Sequence, residues 1–96
     1  IFGSGPAYVY FFIETLSKIA SKNGFKQSDQ MIIHLFLGSI LQMLDKKEHP
    51  KILRKKVTSK GGTTEAAIKS LISSDKFYKV MNEAINKAAK RGKNLA

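Results

Sequence analysis

Apolar residues recur at helical spacing along most of the chain, and no stretch alternates as a strand would. The first run, through Tyr8, Val9, Phe11, Phe12, Ile13, Leu16, Ile19 and Ala20, predicts a helix that starts at Pro6, with Ser4 or Gly5 near its cap. Its first half is apolar nearly all round, which exceeds what one neighbouring layer in a small monomer can cover. Lys18 and Lys22 then supply an outward face, and Asn23-Gly24 ends the helix, Gly24 suiting the left-handed position beyond a C-cap. A second helix is predicted from near Ser28, with Ser28 or Gln27 at the N-cap and Asp29 complementing the dipole. Met31, Ile32, Ile33, Leu35, Phe36, Leu37, Ile40, Leu41, Met43 and Leu44 leave this helix little polar face. Gly38 inside it costs about 1 kcal/mol relative to alanine unless another helix packs closely there. His34 reads as a buried structural residue, because no acid or nucleophile is placed to make it a base.

Three shorter patterns follow. Pro50 opens a third helix that runs to about Lys56, with Ile52, Leu53 and Val57 on its apolar side. A fourth runs from about Thr63 to Ser73 on a stripe of Ile68, Leu71 and Ile72. Ser73-Ser74-Asp75 is then expected to cap a fifth, in which Phe77, Val80, Met81, Ala84, Ile85, Ala88 and Ala89 give the cleanest period in the chain. The expected fold is all-α with about five helices, in a single domain spanning 1–96. The apolar faces of the first two helices call for a second copy of the chain.

Composition narrows the function. No cysteine is present, which excludes disulfides and thiolate chemistry. The chain opens at Ile1 in a glycine loop, as a piece of a longer protein would, and no apolar run reaches membrane-spanning length. The net charge of +10 raises nucleic acid as a partner. Lysine supplies most of it, with only Arg54 and Arg91 to offer the bidentate geometry that phosphate and base readout favour. The stretch from Lys46 to Lys60 concentrates basic residues, either as a solvated face or as a field that draws anions.

The stretch with chemical character is Val57-Thr58-Ser59-Lys60-Gly61-Gly62-Thr63-Thr64-Glu65. Paired glycines allow a tight turn, and the helix that follows begins with open N–H groups at its positive end. Gly62 or Thr63 is the expected cap, and Glu65 complements the dipole. A carboxylate or phosphate fits such a start, with threonine hydroxyls as further donors. His34 and His49 are far apart and lack a carboxylate cluster, so no metal site is expected. Nor does any nucleophile–base pair stand out. Gly3-Ser4-Gly5 lacks the preceding strand and third glycine of a dinucleotide fingerprint.

With Glu48-His49-Pro50 and Leu53-Arg54-Lys55-Lys56 before it, this stretch resembles the signature of the pyrroline-5-carboxylate reductase family, approximately HP followed by L-(K/R)-x-x-V-T-S-P-G-G-x-T. Gly3-Ser4-Gly5-Pro6-Ala7-Tyr8 matches that family's GSGPAY at the start of the long helix after the cofactor domain. The resemblance covers essentially the whole chain but only the C-terminal part of the family's enzyme. It implies an intertwined homodimer, with higher oligomers of dimers open, built on a cytoplasmic reductase of proline biosynthesis. It implies NADPH or NADH as cofactor, held mainly by an N-terminal Rossmann domain that lies outside this chain, so the isolated segment is expected to be inactive. By the same resemblance, Ser59, Gly61, Gly62 and Thr63 hold the substrate carboxylate, Thr64 hydrogen-bonds the ring nitrogen as the catalytic contact, and Val57 lines the apolar wall. Ser4, Gly5 and Pro6 face the cofactor cleft. Lys60 departs from the family's proline, trading loop stiffness for a charge.

Two other readings compete. A non-enzymatic basic helical module that binds nucleic acid or a protein partner accounts for the charge but not for the double-glycine turn. A solitary interaction domain of reductase descent, no longer catalytic, accounts for both.

Overall fold

Local sequence signals set the helix ends, and the computed structural model, which describes residues 3–95, bears out the all-α expectation. Five α-helices follow in order: α1 (Gly5–Lys22), α2 (Ser28–Lys46), α3 (Pro50–Lys56), α4 (Thr63–Ile72) and α5 (Lys76–Leu95). No strand occurs among the described residues. The helices group into two compact units, Ile1–Pro50 and Lys51–Ala96.

In the first unit, α1 and α2 pack as a hairpin. Pro6 sits in the first turn of α1, where its missing N–H costs nothing. At the other end Gly24 adopts φ +91°, its N–H donates to Ser21 O at 3.1 Å, and the Phe25 N–H donates to Ala20 O at 3.1 Å. That pair of bonds is a Schellman ending, which satisfies carbonyls the helix leaves open. The Asn23 side chain adds a 2.8 Å bond from Nδ2 to Ile19 O. Helix α2 ends instead on Lys47 at φ 53°, a left-handed position that a lysine occupies without glycine's freedom.

Each helix of the hairpin buries one residue: Ser17 of α1 is 4 % exposed and Ile32 of α2 is 7 % exposed. Around them lie partly covered rows, Ile13 and Ala20 on α1, Phe36 and Met43 on α2. The small Ser17 lets the helices approach. Helix α2 carries a second apolar stripe on another side, Ile33, Leu37, Ile40, Leu41 and Leu44, and each of these remains about half or more exposed. Gly38 beside it has nothing of this chain within 4 Å of where a Cβ would stand. His34 is also exposed, which corrects its reading as a buried residue: α1 covers one side of α2 and leaves the rest open.

In the second unit, α4 and α5 pack on each other, with Ile68, Met81 and Ile85 partly covered. A 3-10 turn, Ser73–Asp75, links them. Ser74 (φ 57°) and Asp75 (φ 53°) are both left-handed there, so these two residues bend the chain between α4 and α5. Phe77 and Val80 of the α5 stripe stay exposed.

Replacing Gly24 by alanine forces a Cβ into the left-handed region and should destabilise the protein by about 1 kcal/mol, measurable by urea unfolding monitored through helical circular dichroism.

Candidate functional site at the start of helix α4

The last turn of α3 runs directly into the glycine turn. Val57 N–H donates to Arg54 O at 3.3 Å and Thr58 N–H to Lys55 O at 3.2 Å. The Thr58 hydroxyl donates to Arg54 O as well, which pins the chain as it leaves the helix. Arg54, Lys55 and Lys56 crowd this last turn, where cations suit the negative end of the dipole.

Ser59, Lys60, Gly61 and Gly62 then form one β-turn. Gly62 N–H donates to Ser59 O at 3.1 Å, and Gly61, third in the turn, has φ +76°. A positive φ at this place is what a type II turn requires. Lys60 occupies the second place, where proline is favoured because its ring fixes φ. Gly62 is extended at φ −88°, ψ 179°, and a Cβ there would stand 3.3 Å from Ser59 O. Its need for glycine is one of space.

Gly62 is also the N-cap of α4, and no side chain caps the helix. Its carbonyl accepts from Ala66 N–H at 3.3 Å. Thr63, Thr64 and Glu65 make the first turn, so their N–H groups and two hydroxyls gather at the positive end of the dipole. Glu65 bends back so that its Oε1 accepts from Gly61 N–H at 3.0 Å, a variant of the capping box displaced by one residue. Lys69, one turn on, lies 3.5 Å from the same oxygen.

Of the residues picked out by sequence, Ser59, Gly61, Gly62, Thr63 and Thr64 therefore share one turn and helix start. The amides of Gly61 and Gly62 are already engaged, one by Glu65 and one by Ser59. Hydroxyls and the first amides of α4 remain to meet an anion. Val57, 69 % exposed, ends the approach to the turn. Ser4, Gly5 and Pro6 lie in the first unit, at the start of α1. Ser4 is the N-cap there, yet its hydroxyl pairs with the Tyr8 hydroxyl at 2.9 Å rather than with the backbone. Sequence reading missed the pinning role of Thr58 and the bond from Gly61 to Glu65. The glutamate three residues past the cap was the available signal for the second.

No helix among the described residues is long and apolar enough to cross a membrane, and no cluster of three or more histidine or acidic residues could hold a metal ion.

The hydrogen bond from the Gly61 N–H holds the Glu65 carboxyl below its ordinary value, against desolvation and with smaller help from the Lys69 charge. A carboxylate whose folded value is lowered stabilises the folded state above its unfolded value, and that contribution disappears as pH falls through the lowered one. The Gly61 amide proton resonance should accordingly titrate with a midpoint below that of a free glutamate, and Glu65→Gln should abolish the step.

Comparison with known proteins adds relatives to this geometry. Residues 1–95 match the family model described as pyrroline-5-carboxylate reductase dimerisation. Pyrroline-5-carboxylate reductase 2 of Bacillus subtilis is 38% identical over 97 residues, an alignment covering 99% of this chain and 34% of the relative. The corresponding reductase of Pseudomonas aeruginosa is 34% identical, covering 98% and 35%. That of Escherichia coli is 32% identical, with the same coverage of 98% and 35%. The chain thus spans about a third of the length of the curated relatives it matches.

Proposed function

The chain belongs to the pyrroline-5-carboxylate reductase dimerisation family, and on that premise we propose that it serves as the C-terminal dimerisation and substrate-binding domain of an enzyme reducing 1-pyrroline-5-carboxylate to L-proline. The observation that carries this reading is the uncapped start of α4, where Ser59, Thr63 and Thr64 gather on one turn. The cofactor, NADPH or NADH, supplies a hydride to the carbon of the C=N bond and is held mainly by an N-terminal Rossmann domain. At the start of α1, the Ser4 hydroxyl and the Gly5 N–H are donors that suit a dinucleotide's acceptors, while Pro6, which has no N–H, shapes the turn beside them.

The chain's own residues then divide the work. The substrate carboxylate sits over the turn shaped by Gly61 and Gly62. It accepts from the Ser59 hydroxyl and from the amides of Thr63 and Thr64, in the favourable field of the helix. Lys60 adds a cation nearby. The imine enters protonated from solvent, and the Thr64 hydroxyl accepts from its N–H, orienting the ring so that the carbon takes the hydride while the nitrogen keeps that proton. Val57 bounds the ring on its apolar side. None of this needs a protein nucleophile, and none is placed here.

Homodimerisation follows from the exposed stripe of α2 and the open faces of α1. A second copy, related by a two-fold axis, presents the same apolar surfaces in return. Higher oligomers of such dimers and a cytoplasmic location belong to the same proposal. A segment without its cofactor domain is inactive by itself.

Two measurements test the proposal. Light scattering should give a concentration-independent mass about twice 10.7 kDa for this chain, and a folded monomer would contradict the dimerisation role. In the complete reductase, Thr64→Ala should lower kcat/KM at least ~10-fold, about 1.4 kcal/mol of transition-state stabilisation. Unaltered steady-state kinetics would remove Thr64 from the chemistry.

A further inference from the structure

Glu65 lies at the centre of the site and carries no role in binding the substrate. Its charge is the wrong sign for a pocket that accepts a carboxylate. Its position nonetheless places Oε1 3.0 Å from Gly61 N, at the one glycine of the turn whose φ, +76°, is left-handed. The turn is otherwise closed by a single backbone bond, from Gly62 N–H to Ser59 O. With lysine rather than proline in its second place, nothing covalent fixes the turn. Two glycines in succession also add conformational freedom to this stretch.

We infer that Glu65 is a positioning residue: by accepting the Gly61 N–H it holds the Ser59–Gly62 turn in the shape that brings the Ser59 hydroxyl and the first amides of α4 to bear on one carboxylate. This rests on the carboxylate-binding reading of the turn. Gly61 N–H is fixed by a side chain anchored one helical turn along α4, and Lys69 braces that side chain from the far side at 3.5 Å. The cap leaves the amides of Thr63 and Thr64 free, because Glu65 takes the amide just outside the helix. A serine or aspartate at the cap would instead bond the amides of the first turn, the donors an incoming anion needs. Gly62 at the cap and Glu65 at the third helical place together stabilise the turn without occupying the donors.

The role separates cleanly from both charge and chemistry. Glutamine keeps the accepting oxygen and loses the charge, whereas alanine loses both. The test compares Glu65→Ala, Glu65→Gln and Ser59→Ala in the complete reductase, with steady-state kinetics for pyrroline-5-carboxylate and hydrogen–deuterium exchange of the peptide spanning the turn. Glu65→Ala should raise KM about tenfold with kcat within about twofold, since a ground-state and transition-state contact is lost equally. It should also speed exchange at the turn. Glu65→Gln should restore KM to within about threefold of the parent and slow the exchange again. If Ser59→Ala raises KM while Glu65→Ala does not, the positioning role is overturned and the carboxylate reading stands. Equal damage from alanine and glutamine also overturns it, because the charge and not the hydrogen bond would then matter. If Ser59→Ala and Thr64→Ala both leave the kinetics unaltered, the turn does not hold the substrate, and both readings fall together.

Discussion

The outer stripe of α2, which the chain's own packing leaves open, is the main physical constraint on this fold. Ile32 is the one apolar side chain covered to below a tenth of its surface among the described residues, so the chain's own packing leaves most of its hydrophobic surface in water. The five stripe residues, each about half exposed, would recover roughly 1 kcal/mol apiece on being covered. Counted on both copies of a two-fold pair, that comes to on the order of 10 kcal/mol, within the ~4–15 kcal/mol that association costs in lost freedom. Exposed apolar residues of α1, among them Val9, Phe11 and Ile19, add to that surface. In the hairpin, α1 and α2 each keep apolar residues open after packing on one another.

Against that demand for side-chain burial, the glycine turn is built almost wholly from backbone. Its shape comes from one left-handed glycine, one crowded glycine and two hydrogen bonds, so its precision owes little to packing. This arrangement suits a small anionic substrate. Amides in fixed orientation answer a carboxylate without bringing a mobile cation, and the helix field adds to each of them. Part of the surrounding basic charge, Arg54, Lys55 and Lys56, complements the dipole at the end of α3.

Much of this was legible in the residues. Gly24 announced its Schellman ending, Pro50 opened α3, and Gly62 capped α4, because each is the residue type that the local backbone requires. The number and order of helices followed from spacing alone. What escaped sequence reading involved residues adopting backbone angles against their preference, such as Lys47 at the end of α2 and Ser74 and Asp75 between α4 and α5. Propensity offers no sign of a left-handed lysine. His34 was misread for another reason. An apolar neighbourhood in sequence was equated with burial, whereas α1 reaches only one side of α2. In the site, residue identities told which groups gather at the turn. They did not tell that two of the expected amides are spent on holding it, since that depends on where the Glu65 side chain bends.

The open stripe of α2 also ties the fate of the chain to its abundance. A newly made copy carries Leu37, Leu41 and Leu44 bare until it meets another, and the time to that meeting shortens as copies accumulate. An unpaired copy therefore carries the kind of surface that chaperones and proteases recognise, and covering it is protection as well as assembly.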